Sequence, residues 1–304
     1  MSRLRIAVLG GTGFVGRSLC ERLVAERHEV RILTRRRERH RELLVLPTAQ
    51  VIDADIHNPV VLKREFQDMH VVINLVGILN ESRQASFEQV HVELPAKVVQ
   101  ACRQTGVSRL LHMSALHADA QAPSEYLRSK GRGEKIVQEA GSSKLHVTLF
   151  RPSVIFGVRD SFTNRFVNLL EKVPFVFPLA CPRARMQPVH VTDVVEAFVR
   201  SLELHASFGQ RYNLCGPTAY SLHEIVTLLL KWRGLRRHVL PLNDFLSRLQ
   251  AAVMQFAPGK PFTLDNYRSL QVESTCDIPF PALFNITPAA FEAVVPTYLS
   301  RSEH

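Results

Sequence analysis

Leu9-Gly10-Gly11-Thr12-Gly13-Phe14-Val15-Gly16 decides how the rest of the chain is read. An apolar run, Ile6-Ala7-Val8-Leu9, precedes it and an amphipathic segment, Ser18 to Glu26, follows. That pattern predicts strand, tight turn and helix in order. Glycines at 10, 13 and 16 let the backbone turn, approach a phosphate and pack helix on strand with no Cβ in the way. The amides opening such a helix point at an anion, and the helix dipole favours negative charge there. The stretch predicts a dinucleotide site lined by Gly10, Thr12, Gly13, Phe14, Val15 and Gly16. A merely tight turn would not need three glycines at this spacing.

Working outward, strands and helices alternate through the first half, which implies a parallel sheet covered on both faces. His28 to Thr34 reads as the second strand. In folds of this kind an acidic side chain after that strand usually binds the ribose hydroxyls of NAD. Here the strand runs into Arg35-Arg36-Arg37. Guanidinium forks match a ribose 2′-phosphate, so NADP(H) is favoured over NAD(H), the plain alternative being a solvated basic loop. Gln50 to Asp53 is a third strand. The Asp55-Ile56 pair beyond it leaves two equal options for the carboxylate: a bond to the adenine amino group, or a cap on the helix starting near Pro59. His70 to Gly77 makes a fourth strand whose end, Leu75-Val76-Gly77, could lie along the cofactor. Phe87 to Arg103 is mainly helical, and Val107 to Ala115 is a fifth strand with Ser114 at its carboxyl end. Ligands of open parallel sheets bind at those ends.

Tyr126 and Lys130 are four apart on a segment that reads as helix to about Ala140, so they share one face. A lysine ammonium near a phenol favours the phenolate and is expected to lower its pKa towards neutrality. Tyr126 then reads as a general acid or base, with Ser114 placed to bond a substrate oxygen.

By these residues the chain resembles the short-chain dehydrogenase/reductases of the extended, atypical type. More narrowly, it resembles the group around the NADPH-binding accessory subunit of respiratory complex I and its bacterial relatives. The glycine turn, Asn74 to Gly77, Tyr126 to Lys130 with Gly133-Glu134, Arg151 to Gly157 and Gln187 to Val194 carry the likeness, which spans about residues 3 to 215. The resemblance implies a Rossmann-type fold in which Gly10, Gly13 and Gly16 cradle the pyrophosphate and Arg35 and Arg36 take the 2′-phosphate. It sets Asp55 and Ile56 by the adenine and Leu75 to Gly77 along the middle of the cofactor. Tyr126 and Lys130 would hold the nicotinamide ribose, with Pro152, Ser153 and Val154 at the nicotinamide end. Two departures stand out: His91 occupies the place of an asparagine usual in the long fourth helix, and the loop from Ser114 to Tyr126 is short.

Beyond a sixth strand, Leu145 to Phe150, strict alternation ends. Phe162 to Lys172 reads as helix, and Val173 to Pro178 as an apolar, proline-punctuated loop, either packed between lobes or bordering a hydrophobic pocket. Gln187 to His190 is a short strand, Thr192-Asp193 an N-cap pair, and His190 structural rather than catalytic. Arg211 to Leu214 is a strand, and Ser221 caps a helix to Trp232. Helices follow over Asp244–Phe256, Leu264–Gln271 and from Thr287-Pro288 to Tyr298, with Ser300 to His304 loose. Phe245, Leu246, Leu249, Val253, Met254 and Phe256 form an apolar stripe, expected to dock on the main body or else to touch lipid or a partner. The expected architecture is α/β: a doubly wound parallel sheet with a smaller, mostly helical C-terminal lobe. Residues 1–157 form the nucleotide-binding part and 158–304 the substrate or partner lobe, parts of 187–215 returning to the main sheet.

The bulk properties agree with this reading. At 304 residues, 46% hydrophobic and 22% charged, the chain is an ordinary globular protein with room for a large core. No apolar stretch is long enough for a transmembrane helix. The run after Arg3 and Arg5 enters the glycine turn directly, so it reads as a strand with no signal or targeting extension. Five scattered cysteines with no Cys-x-x-Cys pair predict no disulfide framework and no metal site, and fit a reducing compartment. Net charge of +10 comes without a nucleic-acid module, so no nucleic-acid partner is expected, and peripheral contact with a membrane or complex is the minority use of the excess. The expected location is cytoplasmic, with attachment at the inner face of a membrane as a further option.

Two functions follow. One is an NADP(H)-dependent oxidoreductase or epimerase-like activity on a lipophilic, quinone-related substrate, with Tyr126, Lys130 and Ser114 as the catalytic set. The other is a non-catalytic NADPH-binding accessory or assembly protein of a respiratory-complex-I or ubiquinone-biosynthesis assembly.

Overall fold

A computed structural model describes residues 3–299; the expected looseness of Ser300 to His304 lies outside them. The first half alternates as β1 (Arg5–Leu9), α1 (Phe14–Ala25), β2 (Glu29–Thr34), α2 (Arg41–Leu44), β3 (Ala49–Asp53), α3 (Pro59–Glu65), β4 (Val71–Asn74), α4 (Leu94–Thr105), β5 (Arg109–Met113), α5 (Glu125–Ala140) and β6 (His146–Pro152). One turn of π-helix, Glu88–Glu93, leads into α4. The rest comprises β7 (Ile155–Phe156), α6 (Thr163–Lys172), β8 (Val176–Leu179), β9 (Arg185–Met186), β10 (Val189–His190), α7 (Val191–Ser201), β11 (Arg211–Leu214), β12 (Tyr220–Ser221), α8 (Leu222–Arg233), β13 (His238–Pro241), α9 (Asp244–Met254), α10 (Leu264–Ser269) and α11 (Phe291–Leu299).

The central sheet has seven strands in the order β11-β6-β5-β4-β1-β2-β3, and every pairing is parallel. Alternation along β1 explains why it is covered twice. Ile6 and Val8 pack with Leu19 and Leu23 of α1 and Phe198 of α7. Ala7 and Leu9 face the opposite layer, with Leu62 of α3, Leu94 and Val98 of α4 and Val137 of α5. The order of strands reverses between β1 and β4, and ligands of such sheets bind outside the carboxyl ends at that reversal. A third core, around Phe156, Leu170, Ile225, Leu229 and Phe291, belongs to the later half of the chain.

Several local expectations are corrected. Thr192-Asp193 does not cap α7: the helix begins at Val191, and the Asp193 carboxylate accepts the Ala289 amide at 2.8 Å instead. The last helix starts at Phe291 rather than at Thr287-Pro288. Val176–Leu179 is a strand paired in parallel with β13, so the apolar loop is partly sheet. Its alternation sends Phe177 and Leu179 inward and leaves Val176 exposed. Ser221 does cap α8, with Glu224 completing a reciprocal capping box. The expectation of no disulfide fails: Cys215 and Cys276 are bonded, joining the end of β11 to the C-terminal segment across 61 residues. Cys20 and Cys102 are buried free thiols, as small apolar residues would be. Among the described residues no helix is long and apolar enough to cross a membrane, and no cluster of His, Cys, Asp and Glu could hold a metal ion.

Candidate functional site

The glycine turn is built by exclusion of side chains. Gly10 has φ of +78°, the left-handed region that only glycine enters without strain, and its α-carbon faces the backbone of Leu75. A methyl group at Gly16 would stand 2.1 Å from the Gly10 carbonyl oxygen, so no other residue fits where α1 meets the turn. Gly13, in extended backbone, is the N-cap and brings no side chain to the first-turn amides; that turn holds no acidic residue either. Amides with no intrahelical acceptor, at the positive end of a helix, are matched by a diphosphate. Thr12 contributes its carbonyl, which holds the Arg17 guanidinium at 2.9 Å.

Arg35 and Arg36 follow Thr34 at the carboxyl end of β2, both exposed, and neither guanidinium has a carboxylate partner among the described residues. The adjacent loop is held by Asp53, whose carboxylate accepts the Arg37 amide at 2.7 Å. Asp55 closes a local turn by accepting the His57 amide. The cap on α3 comes from Asn58, whose side chain accepts from Val60, so the capping option for Asp55 falls. Ile56 packs partly on the second core layer, and the Val76 backbone N–H donates a hydrogen bond to Asn74 Oδ1 at 3.1 Å.

The structure brings Phe14, Val15, Leu75, Gly77, Ser114, Tyr126, Lys130, Pro152, Ser153 and Val154 to one cavity of about 740 Å³. Its far wall is apolar and comes from the later half of the chain: Phe162, Phe166 and Leu169 of α6, Phe177 and Leu179 of β8, Met254 of α9, and Phe262. Both readings of the 173–178 stretch are thus partly realised, since Phe177 is at once core and cavity wall. Arg35, Arg36, Asp55 and Ile56 stand outside this cavity, along the neighbouring carboxyl ends of β2 and β3. Ser153 borders the cavity, but its hydroxyl donates to the Ser274 carbonyl at 2.7 Å and so ties β6 to the C-terminal segment.

The electrostatics of the Tyr126–Lys130 pair differ from expectation. Lys130 is buried, and its ammonium donates to the Met113 carbonyl at 3.1 Å, beside Gly77. Burial lowers its pKa to about 8, against the pull of Glu134. Burial also dominates at Tyr126, raising the phenol to about 12 rather than bringing it towards neutrality. Tyr126 is therefore protonated at neutral pH and can donate a proton to an oxygen. Ser114 Oγ is buried with no hydrogen-bond partner, on the wall of the same cavity. An unpartnered buried hydroxyl costs free energy unless something binds it.

His91 is held by hydrogen bonds at both ring nitrogens. Its Nε2 accepts the Ile78 amide at 3.1 Å, which leaves Nδ1 as the protonated nitrogen, 2.9 Å from Ser129 Oγ. Ser129 in turn donates to the Tyr126 carbonyl at 2.9 Å. Burial, with Lys130 and His112 beside it, lowers the ring to about 2. The imidazole is thus neutral, with Nε2 engaged by the Ile78 amide and Nδ1 by the Ser129 hydroxyl. Its ring also packs edge-on against Tyr126.

One positioning residue has no signal in the sequence. Asp265, in the first turn of α10, accepts the Glu125 and Tyr126 amides at 2.7 and 3.0 Å, while Ser124 Oγ accepts Leu127 at 3.2 Å. The three orphan donors of the first turn of α5 are all satisfied, two of them from a segment 139 or more residues away. Nothing local in Thr263-Leu264-Asp265 announces that contact.

Comparison with known proteins fits this geometry. The family model described as "NAD dependent epimerase/dehydratase family" matches residues 6–215, more than half of the chain. The mitochondrial NADH dehydrogenase (ubiquinone) 1 alpha subcomplex subunit 9 of Mus musculus is 29% identical over 288 residues, covering 91% of this chain and 74% of that protein. A ceramide reductase of Caulobacter vibrioides is 30% identical over 197 residues, covering 64% of this chain and 59% of its own length. The crystal structure of a nucleoside-diphosphate-sugar epimerase from Staphylococcus aureus shares the fold, with a TM-score of 0.73 at 16% identity over 95% of this chain and 98% of that one. On the glycine turn, the parallel sheet and the matched span together, the chain belongs to the NAD dependent epimerase/dehydratase family, the extended short-chain dehydrogenase/reductases.

Proposed function

We propose that the protein is an NADP(H)-dependent oxidoreductase acting on a carbonyl of a lipophilic substrate. The observation that carries this reading is the meeting, on one largely apolar cavity, of a protonated Tyr126, the Lys130 ammonium and the unpartnered Ser114 hydroxyl. The residues fit a nicotinamide dinucleotide: Gly10, Gly13 and Gly16 leave space at the opening amides of α1, and Arg35 and Arg36 offer unpaired guanidinium groups for a 2′-phosphate. When bound, that group supplies hydride.

The chain supplies the rest. Ser114 Oγ donates to the substrate oxygen, gaining the partner it lacks and orienting the carbonyl. Tyr126 donates its phenolic proton to that oxygen as negative charge develops on it. Lys130, held by the Met113 carbonyl, stabilises the phenolate left behind. The apolar wall from α6 and β8 excludes water and accommodates a hydrocarbon chain. A relative that bears the name ceramide reductase, a reductase named for a lipid, supports the substrate class.

A second reading, a non-catalytic NADPH-binding accessory protein of a respiratory assembly, is favoured by the relative matched over 91% of this chain. In that case the nucleotide acts as a stabilising ligand. One experiment separates the two. Purified protein is loaded with NADPH and offered long-chain ketones and quinones, with absorbance followed at the reduced nicotinamide band. The oxidoreductase reading expects turnover that falls on the order of a hundredfold or more in Tyr126→Phe, with NADPH affinity nearly unchanged. Tight NADPH that no carbonyl or quinone oxidises, with Tyr126→Phe indistinguishable from wild type, establishes the accessory reading instead.

A further inference from the structure

Helix α9 wears its apolar face outward. Phe245, Leu249 and Val253 follow one another at helical spacing, with Phe256 just past the helix end, and the four are 72%, 50%, 64% and 84% exposed. The side turned to the protein carries Ser247 and Ala251 instead. The expectation that this stripe docks on the main body is therefore wrong. β13 runs into α9 and pairs with β8, so Leu240, Val176 and Phe175 add exposed apolar surface at the same end of the molecule. Single exposed apolar residues are ordinary, but a stripe of large ones marks a contact surface.

The charge around the stripe selects the partner. From Lys231 to Lys260 six basic side chains stand against one acid, Asp244. Arg233 pairs with Glu171, whereas Arg236, Arg237 and Arg248 have no carboxylate partner among the described residues. A second copy docked on this face would set like charges together. Aromatic and aliphatic side chains with an unpaired basic rim are the pattern of a helix lying in the surface of an anionic bilayer. The opposite side of the same helix borders the cavity through Gln250 and Met254. A lipophilic ligand partitioned in a bilayer would then reach the apolar cavity without crossing water.

We propose that α9, with the β8–β13 edge, docks on an anionic membrane surface and that the substrate enters the cavity from that membrane. The route of entry rests on the oxidoreductase reading; the docking itself does not.

The test is co-sedimentation of the full chain with vesicles of phosphatidylcholine alone and with added phosphatidylglycerol, at low and high salt, with no turnover required. Binding is expected to need phosphatidylglycerol and to weaken with salt. It should fall about tenfold or more in Phe245→Ser/Phe256→Ser and about tenfold in Arg236→Ala/Arg237→Ala. NADPH titrations should be unchanged in both variants, which shows that the fold and the nucleotide site are intact. Failure of wild type to bind phosphatidylglycerol vesicles overturns the proposal, as does binding by the two variants equal to that of wild type. So does a wild-type dimer in light scattering that Phe245→Ser/Phe256→Ser dissolves, because the stripe would then be a subunit interface. An enzyme inactive on every carbonyl would leave docking measurable, so the two proposals fail separately.

Discussion

Replacing Asp265 by Ala removes the carboxylate that holds the first turn of α5, the turn that carries Tyr126. Two amide donors, Glu125 at 2.7 Å and Tyr126 at 3.0 Å, lose a charged acceptor placed at the positive end of the helix. Hydrogen bonds to charged groups contribute about 1.5 to 3 kcal/mol each. Asp265 is half-buried, so water replaces part of what is lost, and the net destabilisation is about 2 kcal/mol. Ser124 still caps Leu127, so the helix is expected to fray by one turn rather than melt. Urea unfolding should show the lower midpoint with an unchanged slope, and hydrogen exchange should quicken at Glu125 and Tyr126 but not at Val137. If α10 positions Tyr126, turnover falls more than NADPH affinity does. A stability loss under about 0.5 kcal/mol, or exchange at Glu125 and Tyr126 like that of wild type, would show that the Asp265 contact does not hold this turn.

Arg35→Ala/Arg36→Ala should weaken NADPH by about tenfold to a hundredfold, roughly 1 kcal/mol for each exposed guanidinium, and NADH by no more than about threefold; equal losses in a fluorescence titration would refute the 2′-phosphate assignment. Gly16→Ala sets a methyl group 2.1 Å from the Gly10 carbonyl, so nucleotide binding should be lost in calorimetry together with several degrees of Tm. The pKa values of His91 and His112 are lowered from 6.5 to about 2 and about 3 by burial, so the unfolded chain binds more protons than the folded one below pH 6.5. Their contribution is therefore intact above pH 6.5 and lost as pH falls, by about 2 kcal/mol for each ring at pH 5, a slope that urea melts at pH 7, 6 and 5 would measure. Lys130, lowered from 10.5 to about 8, acts in the window between those values: unfolding takes up a proton there, so its contribution should raise stability with pH from 8 to 10.5, and Lys130→Met should remove that increment.

Much of the fold was legible because it is carried by local patterns. Ile6 to Leu9 followed by the spaced glycines, the apolar strands at 29–34, 71–74 and 109–113, and the proline that opens α3 are each readable within a few residues. Tyr126 and Lys130 could be paired because helical spacing alone puts them on one face. Four features were illegible for a common reason, that each is a contact between distant segments. The Cys215–Cys276 bond joins residues 61 apart, and Asp265 reaches α5 across 139 or more. The outward turn of the α9 stripe depends on which side of the helix meets β8. The state of Tyr126 depends on its burial, and the Lys130 ammonium that the spacing assigned to the phenol donates to the distant Met113 carbonyl.

By itself the sequence determined the layered parallel sheet, the glycine turn and the identity of the side chains at its carboxyl edge, because strand, turn and helix signals act over one or two turns of chain. Only the tertiary structure decided their chemistry. Burial set the protonation of Tyr126, Lys130 and His91, and burial is a property of the folded whole rather than of any short stretch.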